Sequence, residues 1–313
     1  MKELRGVDRH LIRIVVMSLM VILGLGVAAC AKKQEGEKPP AAATIQTGQV
    51  ASADGIPIYY TYQGEGSPTL VFVHGWSTDG SYWSDQFDHF ARSYQVVAVD
   101  LAGHGQSGLG RDHWTMVAFA ADVKAVVDKL GLQKVILIGH SMGGLISVEA
   151  ARLMPAKVIG IIGIDTLQDM ARAMTPDEVD AFVAPLRENF VAATQGFVKE
   201  LFPQGADSHL IQRIADDMSS APPEVGLGAI QEVLSHDLTP ALNEIAVPVH
   251  CINADYWPTN VEGNRRLNPG FQVTTMSGVG HFLYLEKPEE FNQLLAAAIQ
   301  GFTAETPGAA GQP

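Results

Sequence analysis

Cysteine is almost missing from this chain: its 313 residues contain two, Cys30 and Cys251. So few exclude the disulfide framework that stabilises small exported domains. The two are not expected to pair. Cys30 precedes a flexible stretch, and Cys251 sits in the apolar run Val249–Ile252, where a lone thiol packs as a small hydrophobe. Basic residues are also scarce. Lys and Arg number 21 against 34 Asp and Glu, a formal charge of −13, which argues against nucleic acid as a partner. His113, His209, His236 and His250 fall at no metal-like spacing and are given no role. No internal repeat is found. What the chain does have is apolar residues, 47% of the total, enough for the core of one large domain or two small ones.

The N-terminus reads differently from the rest. Lys2, Arg5, Arg9 and Arg13 precede the apolar run Ile14–Ala29, which is shorter than the roughly 20 residues that span a bilayer. A basic segment, a short apolar segment and small residues before a cut site predict a signal peptide over 1–29. Val27-Ala28-Ala29-Cys30 resembles a bacterial lipoprotein box. That resemblance implies cleavage before Cys30, acylation of Cys30 and a lipid bilayer as partner, in the cell envelope. Ala31 in place of an aspartate points to the outer membrane. An uncleaved signal anchor stays open as the alternative. Residues 30–48, rich in Lys, Glu, Pro, Ala and Gly, read as a tether, and 304–313 as a disordered tail.

Between these segments, β-rich runs alternate with helical patterns, the signature of a parallel sheet wrapped by helices. Asp54-Gly55 before Ile56–Tyr62 predicts an opening hairpin. Strand-like runs follow at Leu70–Val73, Val96–Val99, Val135–Ile138, Val158–Ile164, Val249–Ile252 and Gln272–Met276. Helices are expected over Trp114–Leu130, ended by Gly131, and over Glu289–Phe302. The interval Leu167–Asn243 is too long for a structureless loop and has helical periodicity. Its apolar residues (Met170, Met174, Phe182, Leu186, Phe190, Phe197, Leu201, Phe202 and Met218) could line a pocket or form a core of their own.

The run Val135–Ile138 leads into Gly139-His140-Ser141-Met142-Gly143-Gly144, and a helix-like run, Leu145–Leu153, follows. A serine wedged between a buried strand and a helix sits on a sharp turn that only small flanking residues permit. Its hydroxyl stands clear of the sheet, beside the Met142 N–H at a helix N-terminus. That combination supplies a nucleophile with half an oxyanion hole. Two histidines have matching settings. His74-Gly75-Trp76 follows a strand directly. His281, in Gly278-Val279-Gly280-His281-Phe282, lies after the last strand and before the closing helix, where an imidazole can face a serine and take its proton.

With these motifs the sequence resembles the α/β-hydrolase superfamily over most of residues 50–303. The resemblance implies an α/β-hydrolase fold: a mostly parallel central sheet flanked by helices, with its core in 49–166 and 244–303. It places a helical cap, 167–243, between the sixth and seventh strands. It also implies Ser141 as nucleophile, His281 as base, and the N–H groups of Trp76 and Met142 as the oxyanion hole. His104 and His140 are expected to serve structure. Asp100 precedes the serine, the wrong order for the family's acid.

Two carboxylates remain for that role. Asp255 follows the usual acid strand but comes two residues earlier than the family pattern. Asp165 closes the strand before the cap. One subgroup, a set of haloalkane dehalogenases, takes its acid there and carries an Ile-Asn-Ala-acid run like Ile252–Asp255. The layout favours Asp165, with Asp255 the alternative. Relatives that attack with aspartate form alkyl-enzymes; a serine at 141 implies an acyl-enzyme. The resemblance therefore implies a carboxylesterase-like serine hydrolase cleaving an ester or related acyl bond of a small to medium apolar substrate, with no metal or organic cofactor. Carbon–carbon bond hydrolysis and cofactor-free perhydrolysis use the same motifs and stay open, as does a non-catalytic ligand-binding homologue.

Overall fold

Eight strands form one sheet: β1 (Gln46–Ala51), β2 (Pro57–Gln63), β3 (Thr69–Val73), β4 (Val96–Val99), β5 (Val135–His140), β6 (Val158–Ile164), β7 (Val249–Ala254) and β8 (Gln272–Met276). Their order is β1-β2-β4-β3-β5-β6-β7-β8. β1 and β2 pair antiparallel, as do β2 and β4, and all the other pairs are parallel. This computed structural model describes residues 44–303. The segment read as a signal peptide, Cys30 and the tail 304–313 lie outside the described residues.

Every residue of β3, β4 and β5 is buried. Strands covered by helices on both faces can be apolar throughout, and the sequences TLVFV, VVAV and VILIGH are nearly so. The opening hairpin turns at Gly55, whose φ of 85° needs a residue without a Cβ clash. β1 starts at Gln46, inside the stretch 30–48 read as a tether. It is ordered by pairing, Gln46 opposite Tyr62, and by the Tyr62 hydroxyl, which donates to Gln46 Oε1 at 2.7 Å. Composition alone does not reveal that a polar segment has a partner strand.

The first three helices, α1 (Ser84–Phe90), α2 (Met116–Lys129) and α3 (Met142–Leu153), flank the sheet. α2 begins later than its pattern suggests, because Thr115 is extended and its hydroxyl accepts from Ala118 N as an N-cap. Trp114 is thereby left outside the helix, its ring stacked on Phe119 with centroids 6.2 Å apart. Between β6 and β7 run five helices: α4 (Pro176–Glu188), α5 (Phe190–Glu200), α6 (Ser208–Ser219), α7 (Pro223–Ser235) and α8 (Thr239–Glu244). α4 opens on a capping box, Thr175 with Glu178, and Pro176 fills its first turn, where no N–H is needed. Three helices, α9 (Val261–Leu267), α10 (Leu283–Glu286) and α11 (Pro288–Thr303), complete the described residues. None of the helices among them is long and apolar enough to cross a membrane.

One buried ion pair ties the periphery to the core. Arg111 reaches Asp122 on α2 with two bonds, 3.0 and 2.6 Å, and Asp54 in the hairpin turn at 2.6 Å. Asp122 is fully buried and also accepts from the Ala102 N–H at 3.1 Å. Removing the carboxylate takes two of three bonds from a buried guanidinium and leaves it only the half-exposed Asp54. Asp122→Ala is therefore expected to lower stability by about 3–5 kcal/mol, read as a shift in the urea midpoint. A loss below about 1 kcal/mol, as for an exposed pair, would contradict this account.

Candidate active site

Ser141 sits between β5 and α3 with φ 52° and ψ −118°, in a region that non-glycine residues rarely occupy. The surroundings impose this conformation. A Cβ at Gly139 would lie 2.1 Å from the Gly143 carbonyl oxygen, and one at Gly143 would lie 2.4 Å from the Val73 carbonyl oxygen. The bend is as tight as the Gly-x-Ser-x-Gly pattern requires. Ser141 N donates to Ile164 O on β6 at 3.0 Å, and the Thr166 hydroxyl donates to Ser141 O at 2.8 Å.

His281 and Asp165 meet. His281 Nδ1 lies 2.6 Å from Asp165 Oδ2. The second oxygen, Oδ1, accepts from the Ala254 N–H at 2.9 Å, so the carboxylate is held at both ends. Asp165 is buried and adopts φ 43°. Asp255, the alternative acid, is exposed, and its Oδ1 accepts from Gly278 N at 3.2 Å. It supports the loop that carries His281 and does not touch the imidazole.

His140 does more than hold the turn. Its Nε2–H donates to the His281 carbonyl at 2.9 Å, so the residue before the serine grips the backbone of the histidine. Burial, and secondarily the nearby His281, push its pKa well below the ordinary value, and the ring is neutral. His281 N donates in turn to Leu201 O, from the segment that follows α5, at 2.9 Å.

The His74 turn works by peptide geometry. Leu101 N donates to His74 Nε2 at 3.0 Å, which leaves the proton on Nδ1, and that proton goes to Gly75 O at 2.8 Å. Burial lowers the pKa of His74 and favours this neutral form. The Thr78 hydroxyl donates to the same carbonyl at 3.1 Å. In a trans peptide the N–H points opposite to the C=O, so fixing Gly75 O fixes the Trp76 N–H. Among the described residues, neither the Trp76 N–H nor the Met142 N–H is spent on a backbone carbonyl. His104 is neutral, its pKa pushed down to about 3 chiefly by burial, and packs on the His74 ring with centroids 5.0 Å apart.

Ser141, His281, Asp165, Trp76 and Met142 all line one cavity of about 790 Å³. Phe182, Phe197 and Met218 from the helices between β6 and β7 form apolar wall opposite them, together with Leu201. Met174, Leu186, Phe190 and Phe202 pack elsewhere, so the aromatic and methionine residues of this insert divide between pocket and core. Trp76 joins the two layers: its indole N–H donates to Gly226 O on α7 at 2.8 Å, and its ring meets Phe190 and Phe197 edge-on, each at 6.0 Å.

A scan of the sequence against family models matches the alpha/beta hydrolase family over residues 70–294. The chain belongs to the alpha/beta hydrolase family. It is an enzyme of the α/β-hydrolase class. Among curated proteins it is 26% identical over 247 residues to karrikin insensitive 2 receptor CA of Petunia hybrida, covering 72% of this chain and 89% of that one. It is 42% identical to a non-heme haloperoxidase of Rhodococcus erythropolis over 97 residues, 30% of this chain and 35% of that one. Among solved structures it is similar to Est816, described as an N-acyl homoserine lactone degrading enzyme. That match has a TM-score of 0.69 and 27% identity, and covers 80% of this chain and 99% of the other.

Within this α/β-hydrolase site, three groups escaped the sequence analysis. Asn253 and Thr166 hold the backbone around Asp165, and only the register of β6 against β7 brings them together. The Ile-Asn-Ala-acid run was the sole hint, and it drew attention to the acid. His236, given no role on spacing, lines the cavity, and its Nε2 lies 2.9 Å from Glu149 Oε1 on α3. Burial acts to raise the Glu149 pKa, but hydrogen bonds from His236 and Arg152 outweigh it and the net shift is downward. An isolated histidine in a helical segment carries no signal that a carboxylate from another element will meet it.

Proposed function

We propose that this α/β-hydrolase cleaves an ester or related acyl bond through an acyl-enzyme. Ser141 attacks the carbonyl, His281 takes its proton and later returns it to the leaving group, and Asp165 holds the ring with its proton on Nδ1. The N–H groups of Met142 and Trp76 receive the oxyanion. The observation that carries this reading is the 2.6 Å contact between His281 Nδ1 and Asp165, in a cavity wall shared with a serine on a strained turn. A carboxylate there sets the tautomer in which Nε2 is bare and able to accept the serine proton. The volume and apolar lining of the cavity suit an acyl substrate of small to medium size. The test is labelling with a fluorophosphonate and mapping of the adduct. The expected result is one modified serine, Ser141; a folded protein that stays unmodified would refute the reading.

A second reading, perhydrolysis by the same serine, draws on the match to the haloperoxidase. It differs only in the nucleophile that resolves the acyl-enzyme, and a peracid assay in acetate and hydrogen peroxide separates the two. We also propose that residues 1–29 are removed and Cys30 is acylated, which would place the enzyme on an envelope membrane. Cys30→Ala is then expected to abolish incorporation of an alkyne fatty acid and to release the protein from the membrane fraction. Equal labelling of the variant would end that proposal.

A further inference from the structure

β6 and β7 run in parallel register, Ile164 opposite Ile252, and the ladder extends one step further through Asp165 N, which donates to Ile252 O at 2.9 Å. There the two strands part. β7 continues to Ala254, while the chain after β6 turns away with positive φ at Asp165, 43°, and at Leu167, 55°. The peptide groups of Thr166, buried between them, leave the ladder and would lack partners.

The Asn253 side chain supplies those partners. Its Oδ1 accepts from Thr166 N at 3.2 Å and its Nδ2 donates to Thr166 O at 3.1 Å, so one amide takes both backbone groups of one residue. The donor-only N–H and acceptor-only C=O of Thr166 fix which end of the amide is which, and the second Nδ2 proton goes to Thr259 Oγ1 at 3.0 Å. Asn253 is 1% exposed, so water cannot replace these bonds. The held residue then reaches two ways: Thr166 follows Asp165 directly, and its hydroxyl donates to Ser141 O at 2.8 Å.

We infer that Asn253 is a positioning residue for the whole constellation: by clamping Thr166 it helps to hold both Asp165 and the Ser141 turn at positive φ, beside the contacts that each makes on its own side. Strained backbone persists where the surroundings over-determine it, and here one side chain adds a constraint that both residues share. The inference rests on the acyl-transfer reading above. It adds a residue that touches neither substrate nor reacting atoms, and it assigns that residue an effect on catalysis beyond its effect on stability.

The experiment is kinetic, on the full chain with p-nitrophenyl acetate, with folding followed by circular dichroism. Asn253→Ala is expected to lower kcat by about 10²-fold, the scale of a misplacement of about 1 Å, while KM changes by less than about twofold. The rate at which fluorophosphonate modifies Ser141 is expected to fall in parallel in the same folded variant, since it depends on the same alignment of hydroxyl and imidazole. Asn253→Asp, whose carboxylate keeps the acceptor for Thr166 N but has no N–H for Thr166 O, is expected to lower kcat in the same direction, and it serves if the alanine variant does not fold.

A folded variant with kcat within about twofold of wild type, or one whose KM changes as much as its kcat, overturns the role of Asn253. The wild type is labelled with fluorophosphonate in parallel. If Ser141 is not modified there, the acyl-transfer reading fails and this inference falls with it. If Ser141 is modified in wild type and at the same rate in Asn253→Ala, only the inference falls.

Discussion

Ser141→Ala is expected to lower kcat for ester hydrolysis by about 10⁶-fold, the scale seen when a triad nucleophile is deleted. The substitution removes one oxygen and little else. Alanine and serine meet the same steric penalty at φ 52°, and the turn is imposed by the packing of Gly139 and Gly143 and by the bonds from Ser141 N and to Ser141 O. The variant should therefore fold with wild-type stability and retain the cavity, so substrate still binds. What remains is the weak catalysis that two oxyanion donors and a bound geometry provide, roughly 10³–10⁴ over water. Single-turnover rates with p-nitrophenyl acetate and loss of fluorophosphonate labelling check it. A folded variant retaining a tenth of the wild-type rate would mean that another group attacks.

Asp165→Asn is expected to reduce kcat by about 10⁴-fold, whereas Asp255→Asn should stay within about twofold, as for a surface substitution. The reason lies in which atom each partner demands. Asp165 Oδ1 accepts a proton from Ala254 N, and only an oxygen can do that, so an asparagine would keep its oxygen there. Its NH₂ would then face His281 Nδ1, across the present 2.6 Å contact. An amide donor at that position requires a bare Nδ1 and moves the imidazole proton to Nε2, where it blocks abstraction of the serine proton. Among the described residues, the Asp255 side chain accepts from Gly278 N and stands in solvent, and an asparagine oxygen accepts there equally well. Parallel kinetics on the two variants decide between the carboxylates. The opposite order of losses would assign the acid to the later strand.

The strands were legible because their chemistry is local. Apolar runs such as Val135–Ile138 can only be buried, and each lies within or on an observed strand. The serine turn was legible because glycines at 139 and 143 answer to contacts within a few residues and to the one strand beside them. The helical insert was legible from its length and its helical periodicity. β1 was not recognised at its start, since polar Gln46 becomes strand only by pairing with Tyr62.

Short patterns with a local steric or electronic reason marked the nucleophile and histidine candidates in the residues alone, and the resemblance those patterns carry implied the family and the oxyanion pair. Which acid meets that histidine was decided only in three dimensions. Asp165 and Asp255 both end strands, and the family layout favours the first without showing which carboxylate reaches the imidazole. The positive φ at Asp165 and the Ala254 N–H aim one carboxylate at the imidazole, while Asp255 turns to Gly278 in solvent. Tertiary structure likewise joined Asn253 to Thr166 and His236 to Glu149, pairs 87 positions apart in the chain. Hydrogen bonds form between groups that packing brings within about 3 Å, and sequence separation carries no trace of that distance.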